Sequence, residues 1–256
     1  MKSFHGMYSK PQPIKFRIPT SENLVPIRLD IEIDGQKFKD SFTWNPNDPD
    51  SEVVVFAKRT VKDLKLPPAF ITHIAQSIQS QISEFRSYEG QDMYIGDKIV
   101  PLKIDLLVNN TIIRDQFLWD LSNLESDPEE FARTFCRDMG ILDPEVGPAV
   151  AVAIREQLYE IVVQSVASAR EFRVNKKSRR GADYVSSSKA GGGSLDLMKL
   201  FGGRSSVLRK RKEWEFFEPI VDLLSNEEAE ALNAREERNA RLKKRLNEKE
   251  EIYLAI

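Results

Sequence analysis

Cysteine and histidine are nearly absent from this 256-residue chain, which contains one cysteine and two histidines. The single cysteine, Cys136, cannot form an internal disulfide, and such scarcity is typical of proteins from reducing compartments. Long apolar runs are missing too, since none approaches the roughly 18 residues that a membrane-spanning helix needs. These absences argue against a disulfide-stapled scaffold and against a membrane protein, and they favour an intracellular location.

An excess of charge of either sign is also absent. The 38 basic and 40 acidic residues leave a formal net charge of −2. The chain as a whole therefore has no positive field that would attract it to DNA or to an anionic membrane. Any attraction to an acidic partner must come from a local cluster of basic side chains.

Catalytic motifs are missing as well. The sequence contains no GxxxxGK[ST], GxGxxG, HExxH or CxxC pattern. His73, near a predicted helix start, and Cys136, inside a predicted helix, are expected to be structural rather than activated groups. We therefore expect a protein that is not an enzyme, with no cofactor, no bound metal and no small-molecule substrate.

What the chain does contain is an internal duplication. An offset of 75 residues places Val25–Asp30 on Val100–Asp105, and after a one-residue insertion near Gly140 it pairs Gln81 with Gln157. The same offset aligns three further residues of each copy, namely Asp40, Phe42 and Trp44 with Asp115, Phe117 and Trp119. Chance does not keep tryptophan in register in this way. We predict two copies of one module, residues 21–90 (the first repeat) and residues 96–172 (the second repeat).

Each copy begins with a predicted hairpin. Apolar residues alternate with polar ones from Ile27 to Ile33, which indicates a strand with one buried face, and Asp34-Gly35 favours a type I′ turn. The return strands end in large aromatic residues that we assign to the core or to a partner interface: Phe42, Trp44, Phe117 and Trp119. Asp40 and Asp115 share the parity of these aromatics, so they are either paired inside or turned out by a bulge.

Two helices follow each hairpin. Ser126-Asp127-Pro128-Glu129 combines a helix cap, a proline in the first turn and an acidic residue that closes a capping box. A second helix begins after Pro68, and its apolar residues recur at helical spacing from Ile71 to Phe85. Because two strands cannot shield a core alone, the helix pair must cover the hairpin. The predicted fold class is α+β, with two tandem ββαα repeats, a flexible linker and a C-terminal α-helix.

The remaining segments differ in composition from the repeats. Residues 1–20 are predicted to be a flexible tail, and residues 173–210 a linker rich in glycine, serine and basic residues, with an apolar island at 195–201. The linker begins with a basic run formed by Lys176, Lys177, Arg179 and Arg180. This run fits a nuclear-localisation signal or a phosphate contact, and it fits a solvated linker end equally well.

Residues 211–256 combine an aromatic segment with a predicted helix from about 226 to 250. Ser225-Asn226-Glu227-Glu228 is a capping box, and neither proline nor glycine follows it. Arg238, Arg241 and Arg245 fall within a narrow sector of the helix, beside Leu242 and Leu246. From the pattern alone, this helix is either solvated on all sides or docked on an acidic surface.

The repeated elements resemble the tandem repeats of the Snf-five (integrase-interactor) family. The resemblance rests on Val-Pro-x-x-x-Asp, Asp-x-Phe-x-Trp and Phe-Ala in both copies, and on the C-terminal segment from Trp214 to Leu246. It covers nearly all of residues 21–256, and the compact length is similar to that of the plant members. The family consists of core subunits of SWI/SNF chromatin-remodelling complexes, which are located in the nucleus.

The resemblance implies partners and site residues. The first repeat would bind the SWIRM domain of a Swi-three-type scaffold subunit, and ATP hydrolysis would belong to another subunit of the complex. The C-terminal helix would bind the acidic patch of the histone octamer, through four residues carried over from the family: Arg238, Arg241, Lys244 and Arg245. The family's arginine-rich run is partly lysine here, and lysine cannot form the bidentate pair that arginine makes with a carboxylate.

Three functional hypotheses follow. The first is a scaffold subunit of a chromatin remodeller. The second is a DNA-binding transcriptional co-regulator that acts through residues 176–180 and 238–245, although the near-neutral net charge disfavours it. The third is a self-associating adaptor, which the lack of a sustained apolar heptad after Leu232 disfavours.

Overall fold

The computed structural model describes residues 14–93, 99–178 and 217–254, and it describes no side chains for 169–178, 236, 237, 240, 243, 244 or 247–254. Within these residues the elements follow one another in the order β1 (Ile14–Lys15), β2 (Val25–Ile33), β3 (Gln36–Trp44), α1 (Asp50–Asp63), α2 (Ala69–Tyr88), β4 (Asp92–Met93), β5 (Ile99–Val108), β6 (Thr111–Asp120), α3 (Pro128–Asp138), α4 (Val146–Ser178), β7 (Ile220–Leu223) and α5 (Asn226–Leu254). The predicted α+β class and the two ββαα units are confirmed.

Both hairpins are antiparallel and uninterrupted. The register of the first runs from Val25 opposite Trp44 to Ile33 opposite Gln36, without a bulge. At its turn Asp34 has φ of 50° and Gly35 has φ of 80°. A type I′ turn requires positive φ at both central residues, so the predicted turn is confirmed.

The helices bury the expected face, but the capping box predicted for α3 does not form: Asp127 is the cap, and the Glu129 carboxylate accepts hydrogen bonds from Arg155 instead. The Asp127 carboxylate caps α3 by accepting hydrogen bonds from the backbone N–H groups of Glu129 (2.9 Å) and Glu130 (3.4 Å). In α1 the β-branched valines do not prevent helix formation, because Val53 and Val61 lie on the buried face of the helix. Tertiary packing therefore overrides local strand preference in the first repeat.

A glutamine from the second helix of each repeat closes the outer edge of the first strand. Gln81 Nε2 donates to the Arg28 carbonyl (2.9 Å), and Arg28 N donates to Gln81 Oε1 (3.0 Å). Gln157 makes the same two bonds with Lys103, at 2.8 and 2.9 Å. These contacts explain why the duplication preserves this glutamine, since its amide satisfies two backbone groups at a strand edge.

The buried side chains of the two repeats form one continuous core. Tyr159 on α4 contacts Phe85 on α2, with ring centroids 5.9 Å apart. Arg155 on α4 is 1% exposed, and its guanidinium makes a bidentate pair with Glu129 (2.7 and 2.6 Å). The same guanidinium donates to Thr20 Oγ1 (3.1 Å), which links the second repeat to the segment that precedes β2.

The sheet of the second repeat has a third strand that was not predicted from the sequence. Strand β7 pairs antiparallel with β6, placing Val221 opposite Ile113 and Ile220 opposite Arg114. Ile113 is fully buried and Val221 packs against the core, so β7 extends the apolar face of this sheet. The last residues of the aromatic C-terminal segment thus extend the sheet of the second repeat.

Two predicted boundaries are wrong. The predicted tail, residues 1–20, includes an ordered stretch from Ile14 in which Phe16 is 7% exposed and Ile18 is fully buried. Alternate residues of this stretch are apolar, so it packs as an extended segment on the core. The predicted linker does not begin at residue 173, because α4 continues to Ser178 and no glycine or proline interrupts it after Pro148.

Asp40 and Asp115 follow neither of the alternatives predicted for them. Each carboxylate accepts a hydrogen bond from the backbone N–H of the next residue, Ser41 (2.8 Å) or Gln116 (2.7 Å). Asp40 is exposed and Asp115 is half-buried. Burial raises the pKa of Asp115, while the bond from Gln116 opposes that shift.

Candidate functional site

Helix α5 is fixed to the second repeat at its N-terminal end. The predicted capping box is confirmed, since Ser225 N donates to Glu228 Oε2 (3.0 Å) and Glu228 N donates to Ser225 Oγ (3.3 Å). The bond from Ser225 N, and a second bond that Ser225 Oγ donates to the same carboxylate (2.8 Å), lower the pKa of Glu228. Immediately before the helix, Leu224 N donates to the Asn110 carbonyl (2.7 Å), and Ala229 in the first turn is 4% exposed. The helix therefore leaves the fold from a defined position at the end of β7.

Beyond Leu232, the side chains of α5 that the structure describes lie in solvent. The helix has 29 residues, which corresponds to about 43 Å at 1.5 Å per residue. A helix that is attached at one end, and whose described side chains beyond Leu232 are exposed, is suited to contact another molecule.

The exposed part of α5 presents three of the predicted site residues on one side. Arg238, Arg241 and Arg245 are exposed and lie three and four residues apart, so their side chains emerge within about 60° of one another around the helix. Arg238 Nε donates to the Ala234 carbonyl one turn earlier (3.0 Å). Lys244, the fourth predicted residue, has no described side chain. We call Arg238, Arg241 and Arg245 the basic face.

An apolar edge borders the basic face. Leu242 is 56% exposed and Leu246 is 59% exposed, and both lie on successive turns next to the arginines. Guanidinium groups form charge-assisted hydrogen bonds with carboxylates, and an adjacent leucine pair can bury apolar area in the same contact. The basic face and the leucine pair can therefore take part in one contact.

The predicted localisation run is only partly within the described residues. Lys176 and Lys177 lie in the last turn of α4, where the backbone is described and the side chains are not. Arg179 and Arg180 lie outside the described residues. The assignment of these four residues to nuclear localisation stays a prediction.

The predicted aromatic residues form matching clusters in the two repeats. Phe42 and Trp44 both contact Phe56, with ring centroids 4.8 and 5.6 Å away. In the second repeat, Phe117 and Trp119 contact Phe131 in the same way, at 4.4 and 5.9 Å. Trp119 is 7% exposed, whereas the members of the first cluster are all half-buried. Phe117 and Phe131 are half-buried as well, so the two clusters differ in how far the tryptophan is buried.

A cleft of about 540 Å³ separates β3 from the corner between α3 and α4. Glu129 lines it but is paired with the buried Arg155, and burial raises the pKa of Cys136. The lining also includes Leu142, whose side chain is 94% exposed.

Among the residues that the structure describes, no cluster of histidine, cysteine and carboxylate side chains could hold a metal ion. None of the described helices combines enough length with enough apolar character to span a lipid bilayer.

The structural roles of Arg155 and of the two glutamines were not predicted from the sequence. Gln81 and Gln157 were aligned by the duplication, and that alignment was the available signal for their shared role. Arg155 had no such signal, because the 76-residue offset of this region places Gln79 at the corresponding position.

Comparison with known proteins identifies the family. The family model described as SNF5 / SMARCB1 / INI1 matches residues 19–241. The Arabidopsis thaliana chromatin structure-remodeling complex protein BSH is 72% identical over 229 residues, covering 90% of this chain and 95% of that protein.

Relatives in Saccharomyces cerevisiae are more distant and longer. The SWI/SNF chromatin-remodeling complex subunit SNF5 is 38% identical over 151 residues, which cover 55% of this chain and 17% of that protein. The chromatin structure-remodeling complex subunit SFH1 is 28% identical over 223 residues, covering 87% of this chain and 47% of that protein. Because the family model spans both repeats, β7 and the first half of α5, this chain belongs to the SNF5 / SMARCB1 / INI1 family.

Proposed function

We propose that this chain is a non-catalytic scaffold subunit of a SWI/SNF-type chromatin-remodelling complex in the nucleus. In this proposal the repeats bind a SWIRM-containing scaffold subunit of the Swi-three type, and α5 binds the acidic patch of the nucleosome. The complex also contains the ATPase subunit that drives remodelling. The names of the Arabidopsis and yeast relatives, which are subunits of chromatin-remodelling complexes, support membership of such a complex.

The observation that carries the nucleosome contact is the basic face of α5. Three exposed arginines project on one side of a helix that is anchored at one end by its capping box and by β7. An acidic protein surface offers several carboxylates within reach of such a face, and charge-assisted bonds to carboxylates are among the stronger hydrogen bonds. The anchored start limits the directions in which the helix can leave the fold, which lowers the entropic cost of docking.

The test is binding of the full chain to nucleosomes, to nucleosomes whose acidic-patch residues are neutralised, and to free DNA. We expect binding to the first and a clear loss on the second. Arg241→Ala and Arg245→Ala should each weaken binding to intact nucleosomes. Arg59→Ala is the matched control, because Arg59 is exposed on α1 and its replacement removes the same charge elsewhere. Equal binding to intact and neutralised nucleosomes would refute the acidic-patch assignment.

The free-DNA arm tests the alternative, a DNA-binding co-regulator that uses the basic run and α5. Contacts with phosphates release counterions, so DNA binding falls steeply with salt concentration. If the chain binds free DNA as tightly as nucleosomes, with a steep salt dependence that Arg241→Ala reduces, the DNA interpretation replaces the acidic-patch interpretation.

The SWIRM contact is assigned to the first repeat because its aromatic cluster is half-buried and Leu64, at the end of α1, is 55% exposed. A ligand that binds only the folded form raises its stability by mass action. Titration of the full chain with a SWIRM-bearing fragment should therefore release or absorb heat and raise the melting temperature. Leu64→Ser should weaken this binding, whereas Leu142→Ser, at an exposed leucine of the second repeat, should not. Absence of both heat and a melting shift would contradict the assignment.

A further inference from the structure

The outer edge of β3 in the first repeat is the counterpart of the edge on which β7 lies in the second. The 75-residue offset matches Gln36–Lys39 with Thr111–Arg114, the segment of β6 that pairs with β7. Within the part of the chain that the structure describes, β3 pairs with β2 and with no other strand. The same outer strand edge is thus present in both repeats, and in the second repeat β7 of the same chain pairs with it.

The direction of the backbone groups on β3 follows from the glutamine contact. Gln81 bonds both backbone groups of Arg28, so these groups point away from β3. Arg28 lies opposite Ser41, and the groups of an antiparallel strand alternate in direction from one residue to the next. Ser41 and Lys39 therefore both direct their backbone N–H and C=O groups to the outer edge. The equivalent position in β6, Arg114, is one that pairs with β7.

A carboxylate sets the end of this edge in both repeats. Asp40 Oδ1 accepts a hydrogen bond from Ser41 N (2.8 Å), and Asp115 Oδ1 accepts one from Gln116 N (2.7 Å). These amides are therefore occupied, and β7 stops one residue short of Asp115 in the register. The accepting edge of the first repeat accordingly ends at the residue before Asp40, which gives it the same length as the edge that β7 occupies.

Burial and charge along β3 specify the chemistry of an added strand. On β6 the buried Ile113 lies opposite Val221, and its counterpart on β3 is Phe38, which is 7% exposed. An apolar side chain opposite Phe38 would extend the core in the same way. The next residue, Lys39, is exposed, and its ammonium lies 3.6 Å from the exposed carboxylate of Asp30. An acidic side chain opposite Lys39 would add a cross-strand pair of opposite charge.

We propose that the outer edge of β3 binds an extended segment of a partner protein as an antiparallel strand. The segment carries an apolar residue opposite Phe38 and an acidic residue opposite Lys39. Main-chain hydrogen bonds supply affinity in this mode of recognition, and alternate side chains supply specificity. The proposal rests on the geometry of the repeats, so it stands or falls separately from the proposed chromatin function.

A labelled peptide tests the proposal on the full chain by fluorescence anisotropy. The peptide has the sequence of residues 218–225 with the replacement Ile220→Glu, so that glutamate lies opposite Lys39 and Val221 opposite Phe38 in the β7 register. We expect saturable binding and slower hydrogen exchange of the Lys39 amide in the complex. A peptide N-methylated at its aspartate lacks an N–H that strand pairing requires, and it should not bind.

Two variants of one residue separate the charge from the backbone contribution. Lys39→Glu places like charges opposite each other and should weaken binding by roughly tenfold or more. Lys39→Pro removes the outward N–H, which edge strands tolerate, and should abolish binding while the melting curve shows a folded chain. Arg114→Glu is the matched control, because it changes the equivalent position of the edge that β7 fills, and it should leave peptide binding unchanged.

The proposal is overturned if the wild-type chain does not bind at millimolar peptide, or if binding survives both Lys39→Glu and N-methylation. Self-association that Lys39→Glu abolishes, measured by sedimentation, would assign the edge to a second copy instead of a partner protein. Binding that appears only after Leu195→Ser and Leu197→Ser would assign it to the chain's own Leu-Asp-Leu sequence and would equally overturn the proposal.

Discussion

The ion pair between Arg155 and Glu129 allows the cost of an uncompensated buried charge to be measured. Arg155 has a side chain that is 1% exposed, whereas that of Glu129 is 35% exposed. The pair is therefore asymmetric: removal of the carboxylate leaves a charge inside the protein, but removal of the guanidinium leaves a carboxylate that water can reach.

The expected cost of Glu129→Gln follows from this asymmetry. Removing one partner of a fully buried pair costs about 3–5 kcal/mol. Arg155 keeps Thr20 Oγ1 (3.1 Å) and the Glu22 carbonyl (2.9 Å) as acceptors, and water can enter on the exposed side of residue 129. We therefore expect a loss of about 2–3 kcal/mol in the free energy of unfolding, below the range for a fully buried pair.

Arg155→Met should lower the free energy of unfolding by less than Glu129→Gln does. Methionine fills a similar volume without a charge, and such replacement of buried ionic groups is often close to neutral. The Glu22 carbonyl that Arg155 leaves still accepts a hydrogen bond from Thr20 Oγ1 (2.6 Å). We expect a loss below about 1.5 kcal/mol, and Glu129→Gln should cost less than about 0.5 kcal/mol when it is made in the Met-containing variant.

Urea unfolding followed by tryptophan fluorescence measures all three variants, with equal denaturant slopes as the check on two-state behaviour. The reasoning is refuted if Arg155→Met is as destabilising as Glu129→Gln, or if the double variant shows no coupling. Either result would mean that packing of the arginine stem, rather than compensation of its charge, determines the stability at this position.

Three further outcomes can be checked on the same protein. Trp119→Ala should lower the free energy of unfolding by about 3–5 kcal/mol, and Trp44→Ala by less because Trp44 is only half-buried, so equal losses in urea titrations would contradict the burial difference. Gln81→Ala and Gln157→Ala each remove two hydrogen bonds to a strand edge and should each lower the free energy of unfolding by about 1–3 kcal/mol. Hydrogen exchange should become faster at the amide of Arg28 or Lys103, and unchanged exchange would argue against the contact. The pKa of Glu228 is lowered in the folded chain, so its capping contact is complete above the ordinary pKa of 4.5 and is lost as the pH falls through the folded-state pKa. An NMR titration of the first turn of α5 should show this loss as a loss of helical chemical shifts.

Local patterns in the sequence determined the repeated architecture and the start of α5. The duplicated Phe-x-Trp, the period-two strand beginning at Ile27 and the Asp34-Gly35 turn are each encoded within a few residues, and all appear in the structure as predicted. The basic face was equally readable, because the angular positions of Arg238 and its neighbours depend on helix geometry alone.

Tertiary structure decided how distant segments combine. Strand β7 is four residues long and pairs with a strand more than a hundred residues earlier, so its own sequence could not identify its partner. The ordered segment around Ile18 and the pairing of Arg155 with Glu129 likewise depend on which surfaces meet when the two repeats share a core. Local hydrogen bonding and side-chain periodicity act within a few residues, so the sequence alone predicts them. Burial of apolar surface is non-directional, and the fold as a whole therefore determines which distant segments come together.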